Sequence, residues 1–246
     1  MSRRRSPIGF VEALARRLGR RGAPPPESPF RYVFIVGYAR SGSTMLQKVL
    51  ASIDGFLVTS ENADALSGLF FAYQSACTAH REQSTPLPDD PHDPAAGSAD
   101  RFDPDRYARS LAQAFVDELV QPPARARLIG FKEARYFDRL DVFDEFVGFL
   151  QRAFVPSLVV FNKRDPAAVA QSGWWRNYPR APLIAEIERF DRLAAAYAKT
   201  RPADTIIVDY DRYARNATAL RPLFAKLGVP FDADAIQTIL ATPSDD

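Results

Sequence analysis

Five short apolar runs punctuate this chain, and between them the apolar residues return at helical spacing. Tyr32-Val33-Phe34-Ile35-Val36 lacks polar alternation and is rich in β-branched and aromatic residues, as a parallel strand covered on both faces should be. Gly55 to Glu61, which ends in a carboxylate, Arg127 to Phe131, Ser157 to Lys163 and Thr205 to Asp209 read as further strands. After the first strand, Met45, Leu46, Val49 and Leu50 form the buried stripe of a helix. Helical patterns follow at Ala63 to Tyr73, at Tyr107 to Val120, and around Phe143, Phe146, Val147 and Leu150. Further helices are predicted over Ala167 to Trp174, opened by Pro166, and over Ile184 to Lys199. The last two are Leu220 to Leu227, stopped by Gly228, and Ala233 to Leu240. Strands alternating with helices predict an α/β fold, a mostly parallel central sheet of about five strands with helices on both faces.

Two stretches depart from this rhythm. Between Ser75 and Asp105 periodicity fails, and Thr85 to Pro94 has loop composition among six nearby aspartates, so 75–105 is predicted to be a mobile insert or lid. At the start, Ile8, Val11, Leu14 and Leu18 share a helical face with Arg16, Arg17, Arg20 and Arg21 clustered toward its end. This basic amphipathic leader is read as a helix packed on its own domain or a solvated arm, with weak contact to an anionic membrane surface or an acidic partner as the alternative. The proline-rich segment Ala23 to Pro29 is a stiff linker. The organisation expected is therefore a leader and linker over 1–29, then one domain over 30–246.

Composition narrows the chemistry. The chain has 246 residues, of which 46% are hydrophobic, enough for a sizeable core, and 32 basic against 30 acidic residues leave a net charge of only +2. So even a balance gives no reason to expect nucleic acid as a partner, and any anion site must be local. One cysteine, Cys77, excludes an internal disulfide, and with two histidines leaves little for a metal site, so metal-free chemistry is expected. No apolar run approaches a spanning helix, and no signal-peptide core follows the arginines; a cytoplasmic location is the expectation.

Parallel α/β sheets bind ligands beyond the carboxyl ends of their strands. Here those ends carry Arg40 with Ser41, Gly42, Ser43 and Thr44, then Glu61, Lys132 and Arg164. Gly37 to Thr44 joins a strand to a helix N-terminus, which makes an anion cradle. A Walker A loop would need lysine at the position of Ser43; in this chain the cation is Arg40, inside the loop.

A basic residue followed by Ser-Gly-Ser-Thr resembles the phosphosulfate-binding loop of sulfotransferases that use 3′-phosphoadenosine 5′-phosphosulfate (PAPS), in the form found in bacterial, glycan and protein-tyrosine members. Arg164-Asp165-Pro166, with Ser172 eight positions beyond the arginine, is similar to the second motif of that family, which binds the donor's 3′-phosphate. Gly130-Phe131-Lys132 through Tyr136-Phe137 resembles the stretch whose lysine contacts the transferring sulfuryl group, although Glu133 and Ala134 stand where the family has Thr-Pro. In the glycan, trehalose and tyrosine branches a glutamate at the place of Glu61 is the base toward the acceptor hydroxyl. His80 and His92 lie in irregular sequence and are read as solvated, and Glu133 as turned away from the site by its extended backbone. Asp209 to Tyr213 is similar to the family's acidic-aromatic turn after the fifth strand, read as structural. Trp174 and Trp175 are read as packed, or as stacking on adenine or the acceptor. The chain's C-terminus, Ala241 to Asp246, departs from the basic segment that closes over the nucleotide in the glycan and steroid branches.

The resemblance implies a P-loop-type three-layer fold and transfer of a sulfuryl group from PAPS to a hydroxyl or amine of a small-molecule or glycan acceptor, with adenosine 3′,5′-bisphosphate (PAP) as the second product. It assigns Glu61, Lys132 and Arg40 to catalysis, and Arg40 to Thr44 with Arg164 and Ser172 to the donor. A P-loop small-molecule kinase and a non-catalytic nucleotide-binding protein are the alternatives; the first would require the lysine that position 43 lacks.

Overall fold

β1 (Tyr32–Val36) is buried along its whole length, and its side chains divide between two faces as a pleated strand requires. Tyr32, Phe34 and Val36 join one apolar cluster; Val33 and Ile35 join another. The computed structural model in which this is seen describes residues 30–83 and 101–242. The predicted leader and linker at 1–29, residues 84–100 of the predicted insert with His92, and the last four residues lie outside the described part.

In chain order the elements after β1 are α1 (Ser43–Ala51), β2 (Phe56–Thr59), α2 (Ala65–Gln83) and α3 (Pro104–Ala114), which runs into a π-helical turn, Phe115–Val120. β3 (Leu128–Glu133) follows, then a 3₁₀ stretch, Ala134–Val142, kinked at Arg139. Next come α4 (Phe143–Ala153), β4 (Ser157–Lys163), α5 (Pro166–Ala170) and a 3₁₀ turn, Gly173–Asn177. The chain closes with α6 (Arg180–Thr200), β5 (Thr205–Asp209), the single turn α7 (Tyr210–Tyr213), a 3₁₀ turn at Ala217–Leu220, α8 (Arg221–Leu227) and α9 (Ala233–Ala241).

The five strands lie in the order β2-β3-β1-β4-β5, and every pairing is parallel. Register places Val36, the last residue of β1, opposite Glu133 of β3 and Phe161 of β4, so the carboxyl ends of the central strands finish together. One face of the sheet is covered by α2, α3, α4 and α6 through an aromatic-rich core in which Phe34, Phe115, Phe131 and Phe154 pack edge to face or offset. The other face is covered by α1, α8 and α9 through Leu46, Val49, Leu50, Leu223, Phe224, Ile236 and Ile239. Helices on both faces explain why β1 and β4 are apolar at consecutive positions.

Four expectations shift. α2 continues past Tyr73 to Gln83, so the first part of the predicted insert is helical; the apolar stripe fades there because Leu66, Ser67 and Phe70, the deeply buried residues among those of this helix whose burial is described, all precede Tyr73. Asp103 caps α3, its carboxylate accepting from the N–H groups of Asp105 and Arg106. β3 extends two residues beyond Phe131 to include Lys132 and Glu133. The helix expected over Ala167 to Trp174 ends at Ala170, and Ser172 is extended (φ −105°, ψ 136°). Gly173 turns the chain there with φ 55°, a conformation incompatible with continued helix.

Candidate active site

β1 leads into the loop at Gly37, where a Cβ would lie 2.9 Å from the backbone oxygen of Asn162, so glycine lets β1 and β4 approach closely. Two residues of the loop have left-handed backbone, Arg40 (φ 66°) and Gly42 (φ 84°). Arg40 has a Cβ and is therefore strained, by about 1 kcal/mol. Contacts from two later segments hold that shape. Asn162, fully buried near the end of β4, donates from Nδ2 to the carbonyl of Ser41 (2.8 Å) and to its Oγ (3.2 Å). The Tyr213 hydroxyl lies 3.0 Å from the Gly42 carbonyl and 3.1 Å from Asn162 Oδ1, within donating distance of both.

α1 begins at Ser43 with no side chain capping it and no acidic residue in its first turn. Its first N–H groups lack intrahelical partners, and Gly42, Ser43 and Thr44 line a cleft of about 580 Å³. Arg40, Lys132 and Arg164 line the same cleft from three strand ends, as does Glu61 from the segment after β2. Uncapped N–H groups beside three cations suit a polyanion.

Within this wall the predicted residues are joined directly. Lys132, which is 8% exposed, donates from Nζ to Glu61 Oε1 across 2.9 Å. Arg40 Nε donates to Ser172 Oγ across 3.1 Å, linking residues 132 positions apart. Arg164 Nη1 donates to the Arg40 carbonyl across 3.0 Å. Ser41 and Ser172 stand behind the cleft lining: Ser41 is fully buried against Asn162, and Ser172 meets the site through Arg40. Glu133 is turned away from the cleft, as expected. It is 1% exposed and accepts from the N–H groups of Asp64 and Arg135, closing the start of the 3₁₀ stretch.

Several residues of the site carried no clear signal in sequence. Tyr38 is buried, with its hydroxyl on the backbone of Arg164. Tyr210 packs its ring against Gly42, where an added Cβ would fall 2.0 Å from Tyr210 Cδ2, and carries the Arg164 guanidinium 4.7 Å above its centroid. The turn after β5, read from sequence as structural, thus supports the loop and lines the cleft. Asn162 could have been suspected as the one uncharged polar side chain inside the apolar run of β4. Trp174 and Trp175 line the cleft; Trp175 donates from Nε1 to the Ala39 carbonyl (3.2 Å), and Trp174 is half exposed. The far wall is Ala134, Arg135, Phe137 and Asp138 from the 3₁₀ stretch. Among the described residues no cluster of histidine, cysteine and carboxylate side chains could hold a metal, and no helix is long and apolar enough to cross a membrane.

Fold and site together define a parallel α/β protein with an anion-binding loop after its first strand. The sequence profile of the sulfotransferase family matches residues 32–233, and the chain belongs to that family. No curated protein matches it. Among solved structures, the sulfotransferase domain of the Synechococcus PCC 7002 olefin synthase is similar at 18% identity and a TM-score of 0.56, covering 90% of this chain and 81% of that one. Sulfotransferase STF1 of Mycobacterium tuberculosis H37Rv matches at 16% identity and a TM-score of 0.44, over 88% of this chain and 72% of that one. The thymidylate kinase of Candida albicans matches at 14% and 0.43, over 84% of this chain and 97% of that one. The olefin synthase domain shares the fold; the other two resemblances are too distant to carry an argument.

Proposed function

We propose that this sulfotransferase takes its sulfuryl group from PAPS and passes it to a hydroxyl or amine of a small-molecule or glycan acceptor. The observation that carries the reading is the hydrogen bond from Arg40 to Ser172, which joins the loop suited to a 5′-phosphosulfate to the motif suited to a 3′-phosphate. ATP has no 3′-phosphate to use the second motif, and Ser43 stands where an ATP-binding loop has its lysine.

When bound, the donor supplies a sulfuryl group on a phosphosulfate anhydride. Arg40 and the N–H groups from Gly42 to Thr44 stabilise charge on the bridging and phosphate oxygens, and Arg164 holds the 3′-phosphate. Lys132 sits where it can neutralise the sulfuryl oxygens. Glu61 accepts the proton of the acceptor hydroxyl as that oxygen bonds to sulfur; the sulfur–oxygen bond to the 5′-phosphate breaks, and PAP leaves. In the structure Glu61 is held by Lys132, so recruitment of Lys132 to the sulfuryl group would free the carboxylate to meet the acceptor hydroxyl.

The test is incubation with PAPS and a panel of hydroxylated acceptors, read by mass spectrometry for sulfated product and for PAP in equal amount. Thermal stabilisation by PAP and not by ATP with magnesium is the accompanying expectation. Stabilisation by ATP with magnesium alone would overturn the reading in favour of a kinase.

A further inference from the structure

Tyr38 lies two residues before Arg40 and is 1% exposed. Its hydroxyl makes two hydrogen bonds to one residue far away in sequence: it donates to the Arg164 carbonyl at 2.8 Å and accepts from the Arg164 N–H at 2.9 Å. Both backbone groups of the residue that carries the second anion motif are therefore satisfied by a side chain of the first. Burial raises the hydroxyl well above its ordinary value, so it stays protonated and able to donate at any working pH. The ring is fixed edge-on by Phe137 and Phe190, at 5.7 and 5.3 Å between centroids.

From this anchor the contacts close into a circuit. Arg164 returns to the loop by donating Nη1 to the Arg40 carbonyl, and Arg40 reaches Ser172 through Nε. The left-handed backbone of Arg40 belongs to the loop geometry that presents its carbonyl to Arg164. On the outer side, Asp211 Oδ2 accepts from the Asp165 N–H at 2.7 Å, and its Oδ1 lies 4.0 Å from Arg164 Nε.

Resting on the donor assignment above, we propose that Tyr38 is a positioning and specificity-determining residue, whose hydroxyl sets the backbone of Arg164 so that the site selects nucleotides bearing a 3′-phosphate over those with a 5′-phosphate alone. The loop N–H groups assigned to the 5′-phosphate belong to Gly42, Ser43 and Thr44; the carbonyls of Ser41 and Gly42 in that stretch are held by Asn162 and Tyr213, not by the Tyr38 hydroxyl. Removing the Tyr38 hydroxyl frees the Arg164 backbone while leaving the packed ring in place, so the two subsites should respond differently.

The chain's two tryptophans, Trp174 and Trp175, both line the cleft, so their fluorescence reports nucleotide binding. Binding of PAP and of AMP is measured for the natural chain and for Tyr38→Phe. The expectation is that the natural chain prefers PAP, and that the variant binds PAP about tenfold more weakly with AMP affinity within about twofold. Unchanged PAP affinity in the variant would overturn the proposal, and so would equal losses for PAP and AMP, which would mean that the whole loop had moved. A natural chain with no preference for PAP would sink the donor assignment itself, a result distinct from the other two. Asp211→Asn, at a partly exposed position, gives a second approach to the same arginine if Tyr38→Phe does not fold. A selective loss of PAP affinity supports the circuit, and an unchanged PAP to AMP ratio overturns it.

Discussion

The ammonium of Lys132 and the carboxylate of Glu61 meet at 2.9 Å, joining the end of β3 to the segment after β2 on the wall of the cleft. A lysine 10% exposed in its side chain is thereby satisfied by the residue proposed as the base. Glu61→Gln keeps the shape and the hydrogen-bond acceptor but cannot take a proton. Steady-state kinetics should show turnover lower by about 100-fold or more, with PAP affinity by titration calorimetry within about twofold. Near-normal turnover would remove Glu61 from the mechanism.

Asn162 is the fully buried link between β4, the loop and Tyr213. Replacing it by alanine leaves the Ser41 carbonyl and the Tyr213 hydroxyl without that partner in a dry site. The expected cost is about 2–3 kcal/mol, or about 5–10 °C in Tm for a chain of this size, together with weaker PAP binding. Calorimetric melting of Asn162→Ala checks it, and an unchanged Tm would show that water replaces the amide.

Gly42 is pinned under Tyr210. Gly42→Ala should reduce PAP binding by more than about tenfold, because the new Cβ meets the ring and the left-handed backbone adds strain of about 1 kcal/mol. The pair Gly42→Ala with Tyr210→Ala relieves the clash but not the backbone strain, so tryptophan fluorescence should show stability in denaturant partly restored. No recovery in the double variant would mean that backbone conformation alone demands glycine.

Asp191 on α6 is partly buried, and desolvation pushes its carboxyl up to about 6, with Lys163 opposing and Asp209 and Glu188 adding to the rise. Below the unfolded value of about 4 the group is neutral in both states. As pH rises from there toward the folded value the unfolded chain ionises more readily, so stability contributed by the neutral group is lost across that window and stays lost above it. Asp191→Asn should abolish this loss and stabilise the chain at pH 7 by about 1 kcal/mol, solvent screening limiting the gain. Urea unfolding at pH 4 and pH 7 measures both; equal destabilisation at the two would show that attraction to Lys163 outweighs burial.

The architecture was legible because β1 and β4 are apolar at consecutive positions and helical stripes separate the strands; local patterning and burial on both faces express the same constraint. Arg40, Glu61, Lys132 and Arg164 could be proposed together because a parallel sheet brings all its carboxyl ends to one edge, whatever the strand order. That order, β2-β3-β1-β4-β5, was not readable, since it is set by how the crossover helices pack. Nor was the break after Ala170, which depends on Gly173 and on Ser172 finding Arg40.

Sequence by itself determined the element types, the loop chemistry and the edge on which the site stands, because each follows from residue type and local spacing. Only the tertiary structure decided that Tyr38, Asn162, Tyr210 and Tyr213 hold the loop and that Lys132 closes on Glu61. Those contacts join segments from 51 to 171 positions apart, and pairings at such distance come from packing, not from any pattern along the chain.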